Sequence, residues 1–147
     1  MTNRNEKEVT VVKFGGSVLE NERSMEQAAQ LVVDTAEKGF GVVVVVSAMK
    51  GVTDQLIALA KKIDPKMEAS LMDELLGSGE KTSARLMAGV LAGHGVRSVV
   101  VDPESPYWPI VTDSRHLDAN PLMDLSREKA QEAIAPLLRE GRVPVVC

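Results

Sequence analysis

Residues 13 to 17 read KFGGS, directly after the apolar run Val9, Val11 and Val12. Adjacent glycines let a backbone take angles that a Cβ would forbid, and let a ligand approach the amides closely. Successive N–H groups at a turn from strand into helix form a concavity for an anion, to which the helix adds its positive end. Lys13 supplies a mobile point charge suited to phosphate. One reading of Lys13, Gly15 and Gly16 is therefore a polyphosphate cradle. The other is a tight turn beside a solvated lysine, and Gly-Gly taken alone is more often that turn, because short motifs match by chance.

Two further stretches imitate nucleotide signatures. GSGEKT, from Gly77, looks like the end of a P-loop, but Glu80 separates Gly79 from Lys81 and the stretch follows a helical pattern, not a strand. GHGVRS, from Gly93, approximates GxGxxG yet leads from helix to strand, the reverse of the required polarity. It reads as a helix terminator. His94 and His116 have no neighbouring cysteine or second histidine, so no metal site is expected at either. Lys61 and Lys62 read as a solvated face, and Tyr107 and Trp108 as loop cover. Asp113, Arg115 and Asp118 carry charge near a strand end, but spacing assigns them no role.

The elements that must position these residues follow from periodicity. VTVVKF, GVVVVVS and RSVVVD are short, continuous and β-branched, the pattern of strands buried on both faces. Between the first two, Met25, Ala28, Ala29, Val32 and Ala36 mark an amphipathic helix that Gly39 ends. Further helices are predicted from Val52 to Ile63, from Lys66 to Leu76 and from Lys81 to Ala92. PESPYWP is a connector, with Ile110 to Thr112 a short strand. A last helix is predicted from Ser126 as N-cap, with Glu128 in its first turn, Pro136 as a bend and Gly141 as a stop. VPVVC then reads as a fifth strand. The fold class is α/β: a three-layer αβα sandwich around a mostly parallel sheet, with ligands expected beyond the strand ends at Phe14, Val46 and Val101.

At 147 residues and 44% apolar composition the chain suits one core, residues 1 to 147 forming one unit. A net charge of -4 and 3% aromatics argue against a nucleic-acid surface. The polar start MTNRNEKEV and the lack of a long apolar run argue against a secretory leader and a membrane partner. One cysteine, Cys147, gives no internal disulfide and fits a reducing compartment, so a cytoplasmic location is expected.

Taken together, VVKFGGSV, VVVVVSAMKGVTDQL and GSGEKTSARLMAGVLAGHGV resemble the amino-acid kinase family and, within it, the aspartate kinases. Those enzymes show Lys-Phe-Gly-Gly-Thr-Ser-Val, then Ser-Ala-Met-x-Gly-Val-Thr-Asp, then Gly-Glu with a nearby serine, and all three occur here in order. The first motif is one residue shorter here, a form shared with acylglutamate, glutamate and uridylate kinases. The resemblance implies transfer of the ATP γ-phosphoryl group, with Mg2+, to the side-chain carboxylate of L-aspartate. It implies Lys13 as the catalytic cation, and the amides of Gly15, Gly16 and Ser17 as phosphate ligands. Ser47 and Thr53 would contact the amino acid, with helix capping as the alternative. Glu80 would pair with the substrate ammonium, the alternative being an acid placed beside a helix N-terminus.

The same resemblance implies that a second, nucleotide-binding half and regulatory ACT domains belong after the VPVV strand. The chain is thus expected to be the amino-terminal, amino-acid and phosphoryl portion of a catalytic domain, inactive alone. A sheet left unfinished would expose an edge and favour a homo-oligomer or pairing with a missing segment. A non-catalytic anion-binding or assembly module is the competing reading.

Overall fold

The computed structural model describes residues 7–147. Four strands, β1 (Val9–Phe14), β2 (Gly41–Val46), β3 (Ser98–Val101) and β4 (Val143–Val146), form one parallel sheet in the order β1-β2-β4-β3. In register, Phe14 lies opposite Val46, while Val146 lies opposite both Val45 and Val101. The carboxyl ends of the strands are therefore level, and the loops leaving Phe14, Val46 and Val101 start from one rim.

Helices cover both faces. On one side α1 (Glu22–Glu37) and α3 (Ala69–Gly93) close a core of Phe14, Leu19, Val32, Val44, Met87, Leu91 and Val145. On the other, α4 (Met123–Arg139) packs Ile134 and Leu137 on Val43, Val101 and Val146, and Tyr107 and Trp108 rest against that cluster. This is the expected αβα sandwich. Helix α1 starts with a reciprocal cap: Ser24 N donates to Asn21 Oδ1 at 3.0 Å and Asn21 N donates to Ser24 Oγ at 3.0 Å. Its buried stripe is Met25, Ala28, Ala29, Val32 and Val33. Among the described residues no helix covers the outer face of β1, and Val9 and Val11 remain exposed there, so the burial on both faces expected of this strand is not found.

Helix α2 (Val52–Ile63) has the predicted limits, but three further expectations fail. The two helices expected over 66–76 and 81–92 are one, α3, which runs through Gly77 and Gly79 without a break. Helix α4 begins at Met123, so Ser126 is not its cap. Its hydroxyl instead accepts from Val111 N at 2.9 Å, a tie across fifteen positions that outweighs the local capping preference. The strand expected over 110–112 is a single antiparallel bridge between Thr112 and Pro121, which leaves the sheet with four strands.

Candidate active site

After β1 the chain turns tightly. Gly15 O accepts from Val18 N at 2.9 Å and from Leu19 N at 3.0 Å, and the fully buried Leu19 anchors the turn in the core. Among the described residues the N–H groups of Gly15, Gly16 and Ser17 donate to no backbone acceptor, so they remain available at the strand end. The Lys13 side chain folds back over this turn: a Cβ built on Gly15 would lie 3.1 Å from Lys13 Nζ.

The loop after β2 comes within contact of that turn. Lys50 N donates to Leu19 O at 3.0 Å, and a Cβ on Gly16 would stand 2.9 Å from the carbonyl oxygen of Ala48. Helix α3 approaches Ala48 from the opposite direction, where a Cβ on Gly79 would meet Ala48 Cβ at 2.9 Å and Val52 Cγ1 at 3.3 Å. Ala48, 5% exposed, is thus held between two positions that have no room for a side chain. The GSG run that resembled half a P-loop has this packing role at its second glycine. Glu80, next to Gly79, is carried to the same place.

The result is a cavity of about 400 Å³ lined by Gly16, Ser17, Ser47, Ala48, Met49, Lys50, Gly51, Thr53 and Glu80. It brings together Gly16, Ser17, Ser47, Thr53 and Glu80 from three separate stretches. Lys13 and Gly15 lie beside it, at the end of β1, and do not line it. Helix α2 is capped by Gly51 without a side-chain hydrogen bond, so the Thr53 hydroxyl is not engaged in capping. Glu80 sits in the middle of α3 and not at a helix start, which removes the dipole as its explanation.

The family model described as the amino acid kinase family matches residues 8–147. The chain belongs to the amino acid kinase family. It is 40% identical over 140 residues to an aspartokinase of Geobacillus stearothermophilus, covering 94% of this chain and 32% of that protein. The crystal structure of an aspartate kinase from Synechocystis superposes with a TM-score of 0.71 at 30% identity, covering 95% of this chain and 21% of that one. Escherichia coli aspartokinase III in complex with aspartate and ADP superposes with a TM-score of 0.78 at 23% identity, over 95% of this chain and 40% of that one, a likeness of fold. The chain spans about a third of the length of the curated relatives it matches.

In this member of the family the loop after β3 is held differently from the other two. Asp102, 4% exposed, accepts from Arg85 NH2 at 2.8 Å and from Glu104 N at 3.1 Å. Burial works against its charge, but the guanidinium of Arg85, the Glu104 N–H and Lys81 outweigh it, and the carboxyl is held below its ordinary range. Lys81 Nζ reaches Glu104 at 2.5 Å, and that hydrogen bond pushes the lysine up. At the end of β4, burial and the nearby carboxylates of Asp102 and Glu80 push the Cys147 thiol up. Sequence reasoning missed this clamp and missed Lys50. Lys81 and Arg85 share a helix face by their spacing of four, which was a usable signal, whereas nothing in the sequence distinguished Lys50.

His94, His116 and Asp113 have partners away from the cavity. His94 Nε2 meets Glu26 at 2.5 Å, and His116 Nδ1 meets Asp73 at 2.7 Å. Asp113 accepts from Asn120 N and Arg115 N, which hold its carboxyl below the usual range and shape the 112–121 turn. Asp113, Arg115 and Asp118 do not line the cavity. Among the described residues no group of three or more His, Cys, Asp or Glu could hold a metal ion, and no helix is long and apolar enough to cross a membrane.

Proposed function

We propose that this chain forms the amino-acid and phosphoryl portion of an aspartate kinase, which transfers the γ-phosphoryl group of ATP to the side-chain carboxylate of L-aspartate. The observation that carries the reading is the single cavity shared by Gly16, Ser17, Ser47, Thr53 and Glu80. Phosphoryl transfer asks a protein mainly for alignment and for neutralisation of spreading negative charge. The aspartate carboxylate oxygen attacks the γ-phosphorus, the bond to the β–γ bridging oxygen breaks, and ADP leaves with that electron pair. No general base is required, since the nucleophile is already an anion.

The amides of Gly15, Gly16 and Ser17 hold the oxygens of the group in flight, and Lys13 offsets its charge from the adjoining strand end. Ser47 and Thr53 donate hydroxyl hydrogen bonds to substrate carboxylate without adding charge. Glu80 pairs with the α-ammonium, which favours a free amino acid over an N-acylated one. The aspartate and ADP named in the E. coli aspartokinase III complex support this pairing of substrates. Magnesium at kinase sites is bound mainly by substrate phosphates and waters, and the steps assigned here use only side chains and amides of the chain.

Aspartate-dependent ADP release from the intact protein that carries this chain tests the reading. Lys13→Ala is expected to lower turnover by about a hundredfold or more, with the unfolding midpoint unchanged because Lys13 is exposed. Turnover equal to wild type, or ADP release indifferent to aspartate, would defeat it.

A further inference from the structure

Lys50 lines the cavity, and only it and Glu80 among the lining residues ionise. Its backbone is fixed: Lys50 N donates to Leu19 O at 3.0 Å, and a Cβ on Gly16 would stand 3.8 Å from Lys50 Cα. Its side chain is free of such constraint, 62% exposed and, among the described residues, bound only to the carboxylate of Glu20, itself 44% exposed and not part of the lining. An ion pair this exposed is weak and easily exchanged. While it holds, Glu20 cancels the one cation of the lining and no lining cation faces Glu80, so the lining side chains offer an incoming oxyanion no free positive charge.

Resting on the aspartate kinase reading above, we propose that Lys50 is a ligand-binding cation kept in reserve by Glu20. It leaves that carboxylate for an oxyanion entering the cavity, either a carboxylate of the amino acid or a phosphate of the nucleotide. Glu20 acts as a placeholder anion that sets how costly the exchange is. Lys50 has four methylenes between a pinned backbone and its ammonium, reach enough to change partners without moving the loop.

Calorimetric titration of the intact protein separates the possibilities, with L-aspartate alone in one arm and ATP alone in the other. Lys50→Met is expected to weaken binding about tenfold in at least one arm, as loss of a charge-assisted hydrogen bond does. Glu20→Gln is expected to tighten the same arm about threefold, by removing the competitor. In the double variant the gain from Glu20→Gln should vanish. The arm that responds names the oxyanion. If the pair were only a staple between two loops, both single variants would weaken binding alike, and that result overturns the proposal, as does Lys50→Met binding both ligands like wild type. Wild-type protein that binds neither ligand removes the aspartate kinase reading and the proposal with it, whereas wild-type binding with unaltered variants removes the proposal alone.

Discussion

The rim of the sheet is built in two ways. The loop after β2 is wedged at Ala48 between the turn after β1 and α3, with Gly16 on one side and Gly79 on the other leaving no space for a methyl group, and the one ion pair between the first two loops, Lys50 to Glu20, lies at the surface. The loop after β3 reaches the same helix through charge, Arg85 to Asp102 and Lys81 to Glu104. Close packing has one solution and is indifferent to pH and salt, while a charged clamp tolerates rearrangement and depends on both. The residues expected to touch substrate stand on the packed side.

Breaking the packed side should have the largest effect. Gly79→Val would drive a branched side chain into Ala48 and Val52, and a cost of about 3 kcal/mol is expected from overpacking, read as a lower urea midpoint at any salt concentration. A wild-type midpoint would show that α3 does not approach Ala48 so closely.

Arg85→Ala comes next. It leaves the Asp102 carboxylate buried without its guanidinium, at a cost of about 2 kcal/mol near neutral pH. The sign with pH follows from the lowered carboxyl. Its contribution is complete above the unfolded value of about 3.9 and is lost as pH falls through the lower folded value. The gap between wild type and Arg85→Ala should therefore be constant from pH 7 to about 5 and narrow in acid. A gap that does not change with pH would mean that Asp102 is not the group involved. The smallest effect is expected for Ser126→Ala, about 1 kcal/mol from the lost bond to Val111 N, with no salt dependence.

The same division explains what could be read beforehand. Valine runs gave away the strands, but only β2 and β4 are buried on both faces as such runs suggest, while β1 leaves Val9 and Val11 exposed. Of the three loops expected at the strand ends, those after Phe14 and Val46 line the cavity and the one after Val101 does not. The break expected near Gly77 came from helix propensity, where each glycine costs about 1 kcal/mol relative to alanine. Contact with Ala48 makes Gly79 a requirement of the packing, so the helix continues through it. Ser126 was misjudged for a similar reason, its partner being fifteen residues away. Residue types marked Gly16, Ser47, Thr53 and Glu80 through short motifs. Lys50 and Asp102 escaped notice because their meaning lies in partners thirty and seventeen positions distant, which no local pattern records.

An unbroken α3 has a mechanical consequence. Asp73, which grips His116 and Leu117 N of the 112–121 turn, stands seven residues before Glu80 on the same rod, a rise of about 10 Å and close to two full turns. A rigid shaft cannot shift at one of these points and stay put at the other. On the aspartate kinase reading proposed above, a shift of α3 at Glu80 would carry Asp73 and the outer turn it holds along with it.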